Sequence, residues 1–346
     1  MMERAFAHHD LDWRYLTLDI RPDDLQAAIS GMRAMRFRGA NLATPHKLEV
    51  VPLLDELAES ATLSQAVNCI RREDDKLVGE NTEGPGFLQA LDGHIELQSS
   101  NVVLFGAGGA ARAIAVELAK AGCGSITIVN RSRERGEALV ELLNANFQPP
   151  EVSADPIAEA PTEDQPHGKA DDAPDDASAA EGEAAPSEDS TASKEAPSTE
   201  TSSVEPQQQA EAAAAETAQQ SDADAPSAEP ENTSGRAIAN YYEWTDEYDI
   251  PAGTHLVINA TTIGQFDPNS RLEIAADSME GVTLAVDIAI SPTKTRFLLE
   301  AVEHGCQALD CVGMLAQQAA IAFELWTGVK PDVDVVQDAL EEFFGV

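Results

Sequence analysis

The sequence predicts an α/β protein with a parallel sheet, and the stretch from Asn101 to Arg135 carries most of that prediction. Val102–Phe105 is a short apolar run of the kind found in strands buried on both faces. A glycine turn at Gly106–Ala111 follows directly, and we expect a helix over Arg112–Lys120 and a second strand at Ser125–Val129. Strand, glycine turn, helix and strand in this order are typical of a doubly wound fold.

The glycine turn has the spacing of a dinucleotide site, because Gly106, Gly108 and Ala111 fit the pattern G-x-G-x-x-G/A. The first glycine permits the turn, and the second lets backbone N–H groups reach a diphosphate. The small third residue lets the helix pack closely on the strand, with its positive end towards the phosphates. The turn therefore predicts a Rossmann-like domain whose cofactor-binding residues include Gly106, Ala107, Gly108, Gly109 and Ala110.

The end of the second strand indicates which dinucleotide binds. An NAD site usually has Asp or Glu there to accept a hydrogen bond from the ribose 2′-hydroxyl, whereas this chain has Asn130-Arg131-Ser132, followed by Arg133 and Arg135. Guanidinium groups suit a 2′-phosphate, which they bind through charge-assisted hydrogen bonds. We therefore predict NADP, contacted by Asn130, Arg131, Ser132 and Arg135; the alternative is a solvated basic helix start.

Composition narrows the class of protein. The 346 residues suffice for two domains, and no apolar run is long enough to span a membrane. The four scattered cysteines predict reduced thiols in a cytoplasmic protein and no metal site. The formal net charge of −39 argues against binding to nucleic acid.

About half of the acidic excess lies in residues 151–235, which hold 22 acidic residues and two lysines. This stretch has no aromatic residue and few large aliphatic ones, so it cannot bury enough apolar area to offset the entropy of ordering, roughly 1–2 kcal/mol per residue. We predict a disordered acidic insertion in a surface loop. A solvated tether is the simpler interpretation, and a docking site for a basic partner stays open.

The remaining chain alternates between predicted strands and helices. Before the glycine turn we expect strands at Trp13–Ile20, Phe37–Leu42, Gln65–Ile70 and Val78–Gly84, and helices from Pro22, over Leu48–Glu59 and from Pro85. After the acidic stretch we expect strands at Ala237–Trp244, Leu256–Asn259 and Leu284–Ile288, and helices over Thr295–His304 and Gly313–Thr327.

These pieces together resemble the shikimate dehydrogenase family over nearly the whole chain outside the acidic stretch. The stretches that carry the resemblance, besides the glycine turn and Asn130-Arg131-Ser132, are Asn41…Pro45-His46-Lys47, Ala66-Val67-Asn68, Gly79…Asn81-Thr82-Glu83-Gly84, Asn259-Ala260-Thr261…Gly264, Asp287…Pro292…Thr295 and Gly313-Met314-Leu315…Gln318…Gly328. The resemblance implies the reversible reduction of 3-dehydroshikimate to shikimate with NADPH, a step of chorismate and aromatic amino-acid biosynthesis.

The resemblance also implies an organisation and a set of site residues. A substrate domain at 1–95, completed by C-terminal helices at 312–346, would face an NADP-binding domain at 96–311 that 151–235 interrupts. Lys47 would be the acid/base and Glu83 its partner, Asn68 and Gln318 would bind substrate hydroxyls, and Asn259, Thr261 and Gly313 would join the cofactor site. A homodimer and an unknown partner of the acidic insertion stay open.

Several positions depart from the family pattern on the substrate side. The family's initial strand and its Ser-Leu-Ser-Pro segment are absent, a threonine is Ala43, the catalytic Asp is Glu83 and a tyrosine is Ile290; Gln65, Cys69 and Gln265 also differ. Either Met1 is an internal methionine of a longer chain, or the chain is a diverged paralogue. Quinate or a related polyol acid as substrate, and a non-catalytic NADP-binding protein, are the alternatives.

Overall fold

The computed structural model describes residues 1–147, 238–267, 269–290 and 294–345. The predicted disordered insertion at 151–235 lies outside the described residues. Within them the chain forms two sheets and ten α-helices. The helices are α1 Met2–His8, α2 Leu25–Ala34, α3 His46–Glu49, α4 Glu59–Ser64, α5 Glu83–Leu91, α6 Gly109–Lys120, α7 Arg133–Asn146, α8 Arg296–Glu303, α9 Val312–Thr327 and α10 Val333–Phe344.

The larger sheet has six parallel strands and confirms the predicted α/β class. Its strands are β5 Asn101–Phe105, β6 Ser125–Asn130, β7 Ala239–Glu243, β8 Leu256–Asn259, β9 Leu284–Asp287 and β10 Gln307–Leu309. They lie in the order β10-β9-β8-β5-β6-β7, so the chain runs outward from β5 in one direction and from β8 in the other. Ligands of such sheets bind where the order reverses, which here is between the carboxyl ends of β5 and β8.

The smaller sheet has the order β1-β3-β4-β2, with β1 Gly39–Asn41, β2 Glu56–Leu57, β3 Cys69–Glu73 and β4 Lys76–Glu80. Strands β3 and β4 pair antiparallel and form a hairpin. Helix α1 packs against the C-terminal helices in one core cluster with Met2, Phe6, Phe323 and Leu340. The two ends of the chain therefore meet, while the exact division into domains stays a prediction.

Three predicted elements are wrong. Trp13–Ile20 alternates in sequence but forms no strand, because no neighbouring strand pairs with it; Leu16 and Leu18 are about 60% exposed. Leu48–Glu59 is not one helix, since Pro52 removes an N–H and disfavours helical backbone before it; a short 3₁₀ turn and β2 take its place. The strand predicted at Gln65–Ile70 begins only at Cys69, because Gln65 adopts left-handed backbone after α4.

The strands around the glycine turn, and the helix that follows it, were predicted more accurately. Strands β5, β6, β8 and β9 stand where the sequence places them, and α6 begins three residues earlier than expected, at Gly109. All four cysteines are buried and unpaired. Among the described residues no helix has the length and apolar character needed to cross a membrane.

Candidate active site

Lys47 and Glu83, distant in sequence, form an ion pair at the edge of the smaller sheet. Lys47 lies in α3 and Glu83 is the first residue of α5, and 2.5 Å separates the lysine Nζ from the glutamate Oε1. The side chains are only 13% and 8% exposed, so the pair is largely shielded from water. The second carboxylate oxygen, Oε2, is buried and has no hydrogen-bond partner among the described residues.

The backbone between α4 and β3 holds both members of this pair. Lys47 O accepts a hydrogen bond from Val67 N at 2.8 Å. Asn81 donates through Nδ2 to Ala66 O and accepts through Oδ1 from Glu83 N, both at 3.0 Å. The same segment therefore anchors the backbone of Lys47 and of Glu83.

Asn68 and Gln318, the predicted substrate-binding residues, meet beside this pair. Asn68 Nδ2 donates to Gln318 Oε1 at 3.3 Å and to Thr82 Oγ1 at 3.0 Å, and Asn68 Oδ1 accepts from Thr82 N at 2.8 Å. Gly86 makes the arrangement feasible, because a Cβ there would lie 2.7 Å from Gln318 N. The close approach of α5 and α9 thus brings Gln318 into the cluster.

Thr82 was missed as a candidate because its partner Asn68 lies 14 residues away.

The glycine turn adjoins the lysine. Gly106 has φ +110°, and a Cβ on it would lie 2.7 Å from Ala260 O, so the turn requires glycine. A Cβ on Gly109 would lie 2.9 Å from Lys47 Cβ, so this glycine lets the lysine approach the start of α6. A Cβ on Gly108 would meet nothing within 4 Å. The space in front of Gly108, at the amino end of α6, is therefore open to a ligand.

The predicted 2′-phosphate residues lie at the carboxyl end of β6, whose last residue is Asn130. Asn130 Nδ2 donates to Ser132 O at 2.7 Å and shapes the turn into α7. Arg131, Ser132 and Arg135 are exposed, and neither arginine takes part in an ion pair with a described residue. Arg133 instead pairs with Glu137 at 3.0 Å.

Asn259 and Thr261 use their polar side-chain atoms inside their own loop. Asn259 is fully buried, and its Oδ1 accepts from Thr261 N and Oγ1 while its Nδ2 donates to Ile263 O and to Asp287 Oδ1. Thr261 Oγ1 also accepts from Ile263 N. The side chain of Asn259 therefore cannot reach a cofactor, and the residue shapes the loop beside the glycine turn.

Gly313, also predicted in the cofactor site, is the second residue of α9. A Cβ there would lie 3.5 Å from Ala90 Cβ, an ordinary contact, so helix packing does not require glycine at this position.

Arg112, in the first turns of α6, is a buried guanidinium that the sequence analysis missed. It is 8% exposed, its Nη1 lies 3.4 Å from Gln65 Oε1, and its Nε has no partner among the described residues. Burial lowers its pKa, and the charge of Arg135 lowers it further. No local signal marks it, because the burial comes from packing of α4 against α6.

A cavity of about 900 Å³ borders the lysine segment. It lies between the extended residues 12–22, helix α2 and residues 37–46, and Ala43 stands on its wall. Tyr15 in this cavity donates to Asn41 Oδ1 at 2.9 Å, and Asn41 in turn donates to Asn68 O at 3.4 Å. The cavity thus connects with the Asn68 cluster through hydrogen bonds.

Comparison with known families gives three matches in chain order. Residues 1–70 match the shikimate dehydrogenase substrate binding domain, residues 89–160 match the shikimate/quinate 5-dehydrogenase family, and residues 312–341 match the shikimate 5′-dehydrogenase C-terminal domain.

Individual relatives extend over almost the whole chain. A shikimate dehydrogenase (NADP⁺) from Alkaliphilus oremlandii is 28% identical over 97% of this chain and 88% of its own length. The crystal structure of a shikimate dehydrogenase in complex with NADP⁺ shares 26% identity over 99% of this chain and 89% of that one, with a TM-score of 0.69. A ligand-free 5-ketofructose reductase of Gluconobacter shares 31% identity over 99% and 92% of the two chains, with a TM-score of 0.67. With a lysine–carboxylate pair beside a glycine turn, and with matches along its whole length, the chain belongs to the shikimate dehydrogenase family.

Proposed function

We propose that this chain catalyses the reversible, NADP-dependent reduction of 3-dehydroshikimate to shikimate. The observation that carries the proposal is the Lys47–Glu83 pair, whose lysine packs against Gly109 at the nucleotide turn. This arrangement supports an acid/base role for Lys47 next to the site of a redox cofactor. Relatives named shikimate dehydrogenase (NADP⁺) support the assignment.

The residues around the glycine turn fit NADP. The open space in front of Gly108 and the unpaired N–H groups of the first turn of α6 suit a diphosphate. Arg131 and Arg135, exposed and outside any ion pair with described residues, suit a 2′-phosphate. No carboxylate that would repel this phosphate stands in Asn130-Arg131-Ser132.

Lys47 supplies the proton chemistry. NADPH, when bound, provides a hydride for the substrate carbonyl carbon. The Lys47 ammonium donates a proton from Nζ to the carbonyl oxygen, and in the reverse direction the neutral amine accepts the proton of the substrate hydroxyl. Glu83 holds the Nζ atom in place, and the adjacent amides of Asn68 and Gln318 bind ring hydroxyls of the substrate.

Lys47 and Glu83 lie within residues 1–95, and the glycine turn lies within residues 96–311. These positions favour a substrate domain at 1–95 and 312–346 and an NADP-binding domain at 96–311. A cytoplasmic location accords with an enzyme that uses NADP and with four free cysteines.

A second candidate is the reduction of a neutral polyhydroxy ketone. The 31% identity with a 5-ketofructose reductase favours it, and so does Ala43, which offers no hydroxyl where the family pattern has threonine. Glu83 in place of Asp also changes the reach of the carboxylate by about one methylene, which alters the position of Lys47 relative to a substrate.

A substrate comparison separates the candidates. The purified chain is assayed for NADPH oxidation with 3-dehydroshikimate and with 5-ketofructose, and for NADP⁺ reduction with shikimate and with quinate. We expect kcat/KM for 3-dehydroshikimate to exceed that for 5-ketofructose by about tenfold or more, because the two ketones differ in ring and carboxylate. A preference for 5-ketofructose would select the second candidate. Binding of NADPH without any turnover would leave a non-catalytic NADP-binding protein.

A further inference from the structure

We infer that Asp287 is the positioning residue of the cofactor site: its buried carboxylate holds the Asn259–Gly264 loop against the glycine turn. The inference rests on the proposed NADP site and adds a residue that contacts neither substrate nor cofactor. The observations behind it are hydrogen bonds that join the end of β9 to the end of β8 and to the N-cap of α8.

Asp287 ends β9 and is 1% exposed. Its Oδ1 accepts from Asn259 Nδ2 at 3.0 Å and from Ala289 N at 2.9 Å, and its Oδ2 accepts from Thr295 Oγ1 at 2.6 Å. Burial raises the pKa of Asp287, and the three hydrogen bonds from Thr295, Ala289 and Asn259 oppose that rise. One oxygen thus serves the loop, and the other serves the amino end of α8, where Thr295 is the N-cap.

The hydrogen bond to Asn259 fixes the orientation of an amide that organises the loop. With Nδ2 directed to Asp287 and Ile263 O, the amide oxygen is directed to Thr261 N and Oγ1. Without Asp287 the buried Nδ2 would lose one of its two acceptors. A buried donor without an acceptor is costly, so the amide would reorient and release Thr261.

The position of this loop matters to the cofactor because it abuts the glycine turn. Ala260 O lies 2.7 Å from where a Gly106 Cβ would be, and Thr261 Cγ2 lies 3.4 Å from that point. Strands β5 and β8 are adjacent, with Phe105 paired to Asn259, so both segments leave the sheet side by side. A displaced loop would enter the space in front of the turn or widen it.

Because the two carboxylate oxygens of Asp287 have different hydrogen-bond partners, substitutions can remove the bonds of one oxygen or of both. Asp287→Ala removes both sets of hydrogen bonds, whereas Asp287→Asn can keep the Oδ1 acceptor towards Asn259 and changes only the side facing Thr295. Thr295→Val removes that second side but keeps the methyl group that lies beside Gly264 of the loop, and Thr295→Ser keeps the hydroxyl. Asp277→Ala, at an exposed carboxylate, is the control.

The experiment measures the NADPH dissociation constant by fluorescence titration, and hydrogen exchange of the Thr261 and Ile263 amides without cofactor. In Asp287→Ala we expect exchange at both amides to accelerate about tenfold or more and the NADPH constant to rise about tenfold or more, since misplacement of about 1 Å is costly. Asp287→Asn and Thr295→Val should stay within about threefold of wild type in NADPH binding, and Thr295→Ser and Asp277→Ala should match it.

If Asp287→Ala fails to fold, Asp287→Leu, which keeps the branched shape of the carboxylate but offers no acceptor, applies the same test to the hydrogen bond between Asp287 and Asn259. Wild-type exchange or wild-type NADPH affinity in the variant that removes this bond would overturn the inference. A wild-type chain that binds NADPH but does not reduce 3-dehydroshikimate would instead contradict the proposed substrate and leave the role of Asp287 intact.

Discussion

At the residue scale, the three arginines after β6 differ in whether they form an ion pair. Arg133 is engaged by Glu137, whereas Arg131 and Arg135 make no ion pair within the described part of the chain. A guanidinium without a carboxylate partner is free to bind a phosphate, and a paired one must first give up its partner. The pattern of charges therefore predicts unequal roles for three neighbouring arginines.

Replacing Arg131 or Arg135 with alanine should weaken NADPH binding about tenfold and leave NADH binding unchanged, because only NADPH carries the 2′-phosphate; one charge-assisted hydrogen bond contributes about 1.5–3 kcal/mol. Arg133→Ala is the matched control and should have the smallest effect. Calorimetric titration with both cofactors checks the prediction. Equal losses of NADH and NADPH affinity would contradict a 2′-phosphate site.

Gly108 and Gly31 both tolerate a Cβ in the unliganded protein, since one would meet nothing within 4 Å and the other only Met35 Cε at 3.6 Å. Gly108 has φ −81°, which alanine adopts without strain, so Gly108→Ala should leave the free energy of unfolding unchanged or raise it by up to about 1 kcal/mol. It should nevertheless weaken NADPH binding about tenfold, because the methyl group would point into the diphosphate space.

Gly31→Ala, in the middle of α2, serves as the control and should change stability alone. Thermal unfolding and NADPH titration of both variants decide the matter; undiminished NADPH affinity in Gly108→Ala would place the diphosphate elsewhere.

At the scale of elements, the sequence predicted correctly those helices, strands and turns that are determined by residue patterns a few positions long. Strand β5, the glycine turn and α6 were found because buried strands, tight turns and helix starts each leave a mark within a few residues. Trp13–Ile20 was misread because alternation without a partner strand does not make a ladder. Asp287, Thr82 and Arg112 were missed as site residues because their partners lie 28, 14 and 47 residues away.

The packing of α5 on α9 depends on Gly86. A Cβ at this position would lie 2.7 Å from Gln318 N, which is backbone and cannot rotate away. Gly86→Ala should therefore lower the free energy of unfolding by about 1–3 kcal/mol and shift Gln318 away from Asn68. Urea unfolding measures the first effect, and an increased KM for substrate with unchanged NADPH affinity reports the second. Wild-type stability would show that the helices can separate without cost.

At the scale of the whole molecule, the described residues on either side of the acidic stretch lie next to each other, in α7 and β7. Asn144 in α7 donates to Ala239 O and accepts from Ala239 N, both at 2.9 Å, and Ala239 begins β7. The chain on either side of the insertion is therefore held together by the sheet and helix themselves. We therefore expect that a short linker can replace residues 151–235 without straining either element.

A variant in which a short glycine–serine linker replaces residues 151–235 should keep kcat and KM within about twofold of wild type, because loop closure depends only weakly on loop length. Steady-state kinetics of the two proteins check this expectation. A large loss of activity in a folded variant would mean that the acidic stretch takes part in binding or catalysis.

Proton transfer by Lys47, held by Glu83 beside the nucleotide turn, is the step on which the proposed function depends. Its most direct test is Lys47→Ala. Lys76→Ala is the control, since Lys76 forms an exposed ion pair with Glu56 in the smaller sheet. We expect kcat for 3-dehydroshikimate reduction to fall by about 10²–10⁴-fold in Lys47→Ala, while the NADPH dissociation constant stays within about twofold. Turnover close to that of Lys76→Ala would contradict it.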